Sequence, residues 1–529
     1  MRRRDLVSVL APLGLLAARD ARAARPARQL YDLDVATLRE LMHAGSLNAA
    51  ALAETCLARI AAIDHGGPRL NSVIEVNPQA GAIAATLDRE RRAGTVRGPL
   101  HGIPVLLKDN IATADAMQTT AGSLVLIGAK PPRDAHLVTR LRDAGMVVLG
   151  KTNLSEWANI RSTRSTSGWS ARGGFTRNPH ALDRNPSGSS SGSAVAVAAG
   201  LCALAVGTET DGSIVSPASV NGIVGLKPTV GLVSRSGIVP ISHTQDTAGP
   251  MARSVADAAA LLGVLVGPDP RDPTTRRSVA GTDYIRFLDP QRLRGARLGV
   301  VRKLFGAHDG VNAVIEAALV ALQKQGAVLV DPVALPNVDK FGDAELEVLL
   351  TEFKVGLSRY LAEFAPGAPV ASLEALIAWN RDHRDRVMPW FGQELFEKAQ
   401  ATGGLESPVY VDALATCARY SRAEGIDAVL AEYRLDALVA PTGGPAWLTD
   451  VVNGDSSGAS FSAPAAVAGY PHLTVPAGFV SGLPVGLSFV GPAYSEGVLI
   501  GLGYAFEQAT RARRAPSFAK TTPARSRMA

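Results

Sequence analysis

Between Arg184 and Val230 the chain reads RNPSGSSSGSAVAVAAGLCALAVGTETDGSIVSPASVNGIVGLKPTV, with one serine cluster around Ser189 and another at Ser213. Both are rich in glycine, and both adjoin Ala/Val runs that read as buried scaffold. Upstream, Gly102-Ile-Pro-Val-Leu-Leu-Lys108-Asp-Asn ends an apolar, strand-like run on a lysine. A lysine and two serines set this way suggest a hydrolase whose base is an amine, with no need for histidine. Glycine-rich turns that feed a helix N-terminus let backbone N–H groups approach a ligand closely. Consecutive N–H groups at Thr210, Asp211, Gly212 and Ser213 would then form an oxyanion hole around a carbonyl attacked by Ser213. A lysine at its ordinary pKa of ~10.4 is a poor base near neutrality, so burial must lower it, and a drop of ~3 units corresponds to roughly 4 kcal/mol. Ile103, Val105, Leu106 and Leu107 supply a suitable apolar context.

Other chemistries fit less well. Gly188-Ser-Ser-Ser-Gly192 satisfies the G-x-S-x-G pattern with Ser190 as nucleophile, and His472 lies downstream as a formal partner. The VAGYPHLTVPAGF context of that histidine reads instead as a strand. Ser517-Phe-Ala-Lys520 matches S-x-x-K within a basic, Pro-containing tail, a chance match. The nine histidines are scattered, without H-E-x-x-H or paired acidic spacing, so no metal is expected. Cys56, Cys202 and Cys417 are too far apart for metal-ligand spacing and odd in number, and each reads as a small buried hydrophobe.

The net charge of +6 over 529 residues misleads. Residues 1–28 hold seven arginines and two aspartates, which is +5 of that total and leaves +1 for the rest. Nothing in the body of the chain suggests a basic face for nucleic acid. Arg2-Arg3-Arg4, the apolar run Leu6–Ala18 and Ala21-Arg22-Ala23 read as an export signal over 1–28. Arg3-Arg4-Asp5-Leu6-Val7 fits its twin-arginine form, which predicts a periplasmic or secreted bacterial protein. Residues 29–511 then make one catalytic domain, and 512–529 a basic, flexible tail.

Several elements must position the reactive residues. Asp34 is the expected N-cap of a helix with Val35, Leu38 and Met42 on one face, and a second helix follows over about 49–63. Strands are expected at Gly102–Leu107 and Met146–Gly150, separated by a helix that Asp134 caps. The same rhythm returns at Leu298–Val301, Val311–Gln325 and Ala327–Val330, and strands at Asp436–Ala440 and Gly486–Gly491 precede a closing helix over Ser495–Arg511. This alternation indicates an α/β sheet covered on both faces. The uncharged run Ser193–Thr208 is too short to span a membrane and reads as a buried helix leading into a strand. Val338–Ser407 is the least patterned region, expected to be a helical insertion that shapes specificity.

Taken together, Gly102–Asn110, GKTNLSEWAN from Gly150, Ser187–Ala194, GTETDGSIVSPAS from Gly207, GLKPTVGLVSRSGIVP from Gly225 and QDTAGPMARSV from Gln245 resemble the amidase signature family. Within that family the chain is most similar to the bacterial peptide amidases, over nearly its whole length after Tyr31. The resemblance implies a single α/β domain with a large mixed sheet wrapped by helices. It implies Lys108 as general base, Ser189 as a bridging serine in a cis peptide and Ser213 as nucleophile, with Thr210 to Ser213 as oxyanion hole and no cofactor. Ser187 and Asp211 stand where many members carry glycine, and Asp211 matches the peptide amidase branch. The implied reaction is hydrolysis of a carboxamide, on a C-terminal amide of a peptide or acylated amino acid. The alternatives are a general aliphatic or aryl amidase, a glutaminase component of a tRNA-dependent amidotransferase, and a catalytically silent binding protein. Asp246, with Gly249, Pro250 and Arg253, belongs to a family motif near the site and reads equally well as a structural ion pair. Trp157 and Trp169 are candidates for a substrate channel, against core packing.

Overall fold

A computed structural model describes residues 30–456 and 458–523. The expected export signal over 1–28 lies outside the described residues. In chain order the strands are β1 (Val73–Val76), β2 (Pro104–Lys108), β3 (Val147–Thr152), β4 (Trp169–Ser170), β5 (Gly174–Phe175), β6 (Leu204–Glu209), β7 (Val224–Lys227), β8 (Thr247–Ala252), β9 (Arg297–Val300), β10 (Val328–Val330), β11 (Ala437–Pro441), β12 (His472–Val480) and β13 (Leu483–Val490). β4 and β5 form a small hairpin ladder of their own.

The other eleven make one sheet in the order β1-β3-β2-β6-β8-β7-β12-β13-β11-β9-β10. It is mixed, as the resemblance implies. β3, β2 and β6 run parallel, β8, β7, β12 and β13 pair antiparallel in turn, and β11, β9 and β10 are parallel again. Every residue of β2, β3 and β6 is buried, which is why PVLLK and LAVGTE lack the alternation of a half-exposed strand.

Helices wrap the sheet: Ser191–Ala198 packs on β6, Val255–Leu265 on β8, and Asp309–Lys324 and Glu496–Thr510 on β12. The first of these is buried at every position, so its small uncharged side chains fit a helix enclosed on all sides. Asp34 caps its helix as expected, accepting from the Thr37 N–H. Asp134 does not. The helix His136–Asp143 starts after Ala135, because the Asp134 carboxylate is engaged by the Ala114 N–H and the Arg142 guanidinium.

The region expected to be a helical insertion holds the helices Gly342–Phe364, Leu373–Asp382, Arg384–Val387 and Glu394–Ala401. It is clamped to the body by aromatic packing, with Phe353 stacked on Phe396 at 5.1 Å and Phe396 edge-on to Trp157 at 6.0 Å. The expected flexible tail is tied down over its described part. The Phe518 N–H donates to Pro179 O at 3.0 Å, and the Leu182 N–H to Ala519 O at 2.8 Å.

Candidate active site

Lys108 is the last residue of β2 and is wholly buried between two parallel neighbours. Its Nζ lies 2.8 Å from Ser189 Oγ, 2.9 Å from Thr208 Oγ1 and 3.2 Å from Thr208 O. The Asn110 amide donates to the same Thr208 Oγ1 at 2.9 Å, so one threonine on β6 orients both side chains. Burial pulls the lysine down to about 7, although the charges of Asp246 and Glu209 act to raise it. A neutral amine near physiological pH can accept a proton from the Ser189 hydroxyl.

Ser189 follows a cis Gly188–Ser189 bond, and its carbonyl accepts the Ser155 N–H at 3.1 Å. A Cβ at residue 188 would lie 2.2 Å from Ser155 Oγ, so only glycine fits there. Ser187 has φ 59°, its N–H donates to Asn185 Oδ1 at 2.7 Å, and its hydroxyl pairs with that of Ser216 at 2.8 Å.

Ser213 follows Gly212, whose φ of 75° turns the chain sharply after β6. The Ser190 N–H donates to Ser213 O at 3.1 Å, which joins the two serine segments directly. Glu209 ends β6, and its carboxylate accepts the N–H groups of Ile214 at 2.7 Å and Val215 at 3.0 Å. The Thr210 hydroxyl donates to Asp246 at 2.6 Å, and the other Asp246 oxygen accepts from Ile241 and Ser242. Burial pushes the Asp246 carboxyl up to about 6. The loop is therefore pinned by two buried carboxylates. The backbone N–H groups of Asp211, Gly212 and Ser213 donate to no acceptor among the described residues. Such a turn can stabilise an oxyanion.

A cavity of about 220 Å³ opens beside the two glycines that precede the serines, with Gly188, Asp211, Gly212, Ser216, Trp447 and Asp455 in its walls. A larger cleft of about 430 Å³ lies between Asp246 and the helix Gly342–Phe364, but it touches neither Gly188 nor Gly212. No cluster of metal-ligating side chains occurs among the described residues.

The other sequence candidates fall elsewhere. The Ser190 hydroxyl is engaged by the Thr208 backbone, donating at 3.0 Å and accepting at 3.2 Å. His472 is buried against Ser488 and kept neutral, its pKa pushed down to about 3 by burial. Trp157 and Trp169 are core residues, 2% and 5% exposed, the latter packed edge-on to Phe391. Asp246 forms no ion pair among the described residues, and Arg253 donates instead to Cys202 O and Leu33 O. The cysteines are free and buried. Sequence reasoning missed Trp447 and Asp455, which wall the cavity, and Glu345, whose carboxylate accepts from Gln245 at 2.9 Å. It also missed Thr208 and Glu209, although both sit inside the motif that carries Ser213.

Known proteins resemble this chain over most of its length. The amidase family model matches residues 51–500. A protein of Arabidopsis thaliana named as a probable amidase is 44% identical over 86% of this chain and 86% of its own. The solved native peptide amidase of Stenotrophomonas maltophilia is 57% identical, with a TM-score of 0.88 over 92% of this chain and 99% of that one. A glutamyl-tRNA(Gln) amidotransferase component from Symbiobacterium thermophilum is 37% identical over 90% of this chain and 97% of its own. With the family model spanning most of its length, the chain belongs to the amidase family, the one its motifs resemble, and is an amide-hydrolysing enzyme.

Proposed function

We propose that the enzyme hydrolyses the C-terminal carboxamide of peptides or acylated amino acids to a carboxylic acid and ammonia, through Ser213, Ser189 and Lys108. The observation that carries the mechanism is the 2.8 Å contact between a buried, neutral-leaning Lys108 amine and the Ser189 hydroxyl. Lys108 takes the Ser189 proton while Ser189 takes that of Ser213. The Ser213 oxygen attacks the carbonyl carbon, and the C=O electron pair moves onto an oxygen held by the N–H groups of Thr210 to Ser213. Ser189 passes a proton to the departing nitrogen, ammonia leaves, and water repeats the cycle on the acyl-enzyme.

Preference for a terminal amide is supported by the likeness to the solved peptide amidase and by Asp211, whose motif resembles that branch of the family. A cavity of about 220 Å³ suits one residue and its small leaving group better than two continuing chains. The same proposal puts the mature enzyme outside the cytoplasm, on the Arg3-Arg4 signal. No helix among the described residues is long and apolar enough to cross a membrane. The test compares ammonia release from a peptide amide, a simple aliphatic amide and glutamine, with the free-acid peptide as control. Highest kcat/KM for the peptide amide is expected. Preference for the aliphatic amide points to a general amidase, and preference for glutamine to the amidotransferase reading.

A further inference from the structure

The charge around the small cavity is one-sided. Its walls include two carboxylates, Asp211 and Asp455, and no lysine or arginine among the described residues. Neither carboxylate takes part in an ion pair among those residues. Asp455 is satisfied by neutral donors only: the Ser167 N–H at 3.0 Å, the Trp447 indole N–H at 3.2 Å and the Asn185 amide at 3.4 Å. The Asp211 carboxyl meets the Ser462 hydroxyl, but its Oδ1 is closed off from solvent without a hydrogen-bond partner. Burial raises the Asp211 carboxyl above its ordinary value, and Lys227, whose charge is shared with Glu209 and Glu496, acts the other way. The Asp211 charge also acts on Glu345, a buried carboxyl that accepts from Gln245. An unpaired carboxylate in a shielded place costs free energy unless a positive group joins it. Trp447 adds an aromatic ring to the cavity lining, a group that favours cations over anions.

We propose that Asp211, together with Asp455 and Trp447, makes this cavity a subsite for a cationic group on the acyl part of the amide substrate. The inference rests on the amidase reading above and names its substrate class: amides carrying an ammonium or guanidinium group near the scissile carbonyl. Two sources supply that chemistry, the free α-ammonium of an amino-acid amide and a basic side chain on an acylated one. Carboxylate-bearing amides are repelled. So is the acid product, whose new carboxylate forms at Ser213, in the same turn as Asp211.

Four substrates separate the outcomes: norleucinamide, N-acetyl-lysinamide, neutral N-acetyl-norleucinamide and the α-amide of N-acetyl-glutamate. In the wild type, at least one cationic substrate should exceed the neutral one by about tenfold in kcat/KM at low salt, with the advantage shrinking as ionic strength rises. Which one does so identifies the source of the charge. Asp211→Asn should bring the cation-to-neutral ratio close to one, and Asp455→Asn should lower it by less. The ratio is read within each variant, so a general loss of activity in Asp211→Asn does not hide it. Equal or lower kcat/KM for both cationic substrates in the wild type overturns the proposal, as does an unchanged ratio in an active Asp211→Asn enzyme. Failure to release ammonia from any of the four sinks the amidase reading itself, a different result from turnover without preference.

Discussion

The Lys108 amine is held 2.8 Å from the Ser189 hydroxyl by a threonine from the neighbouring strand, not by an acid. An acid in direct contact would keep the lysine charged. Thr208 aligns it while leaving it free to lose its proton.

Ser213→Ala should reduce kcat by roughly 10⁴-fold or more and abolish labelling by a serine-directed fluorophosphonate. Ser189→Ala should be similarly damaging to turnover, because the relay between Lys108 and Ser213 is cut. Mass spectrometry of the labelled wild type should place the adduct on Ser213. An adduct on Ser190 would remove the assignment.

Activity should rise with pH through about 7, the value to which burial brings Lys108, because only the neutral amine accepts a proton. The stability of the fold shifts in the same direction. With its folded pKa below its unfolded one, Lys108 destabilises most below pH 7, and that penalty fades as pH climbs toward the unfolded value. Lys108→Met should therefore be inactive yet more stable than the wild type at pH 6, by about 1–4 kcal/mol in urea titrations. A less stable Lys108→Met protein would contradict a destabilising buried amine.

Glu209 accepts two N–H groups of the turn after Ser213 and offsets the buried charge of Lys227. Glu209→Ala should cost about 3–5 kcal/mol, since it leaves a buried cation with less compensation. The midpoint of denaturant unfolding reads this directly, and a shift smaller than about 1 kcal/mol would show the turn to be held by other contacts.

Changing Arg3 and Arg4 together to lysine should leave unprocessed precursor in the cytoplasm, as judged by fractionation and N-terminal sequencing of the product. Unchanged export would reject the twin-arginine route and leave the general route open.

Much of this was legible in advance because the reactive residues lie in short contiguous motifs. Lys108 ends an apolar run, and the glycines beside Ser189 and Ser213 mark a close approach at Gly188 and a left-handed turn at Gly212. The cavity wall was not legible. Trp447 and Asp455 sit in an irregular loop after β11, and only the tertiary fold carries them to Gly188 and Gly212. Trp157 and Trp169 looked equally suited to a channel, yet Phe396 and Phe391 from the 338–407 region cover them. Asp134 had the sequence context of a cap, but Arg142 and the Ala114 N–H lie too far along the chain for local reading to weigh.

The anchoring of Phe518 and Ala519 beside Pro179 and Leu182 bears on when the segment before Ser187 can be finished during synthesis. Pro179 and Leu182 sit a few residues before Ser187 and Ser189, whereas their partners are translated only after every strand of the sheet. A nascent chain that has emerged no further than α-helix Glu496–Thr510 has its nucleophile, its lysine and its whole sheet, but lacks the residues whose backbone ties down Pro179 and Leu182. The segment ahead of Ser187 therefore gains these hydrogen bonds only once Phe518 and Ala519 have been made.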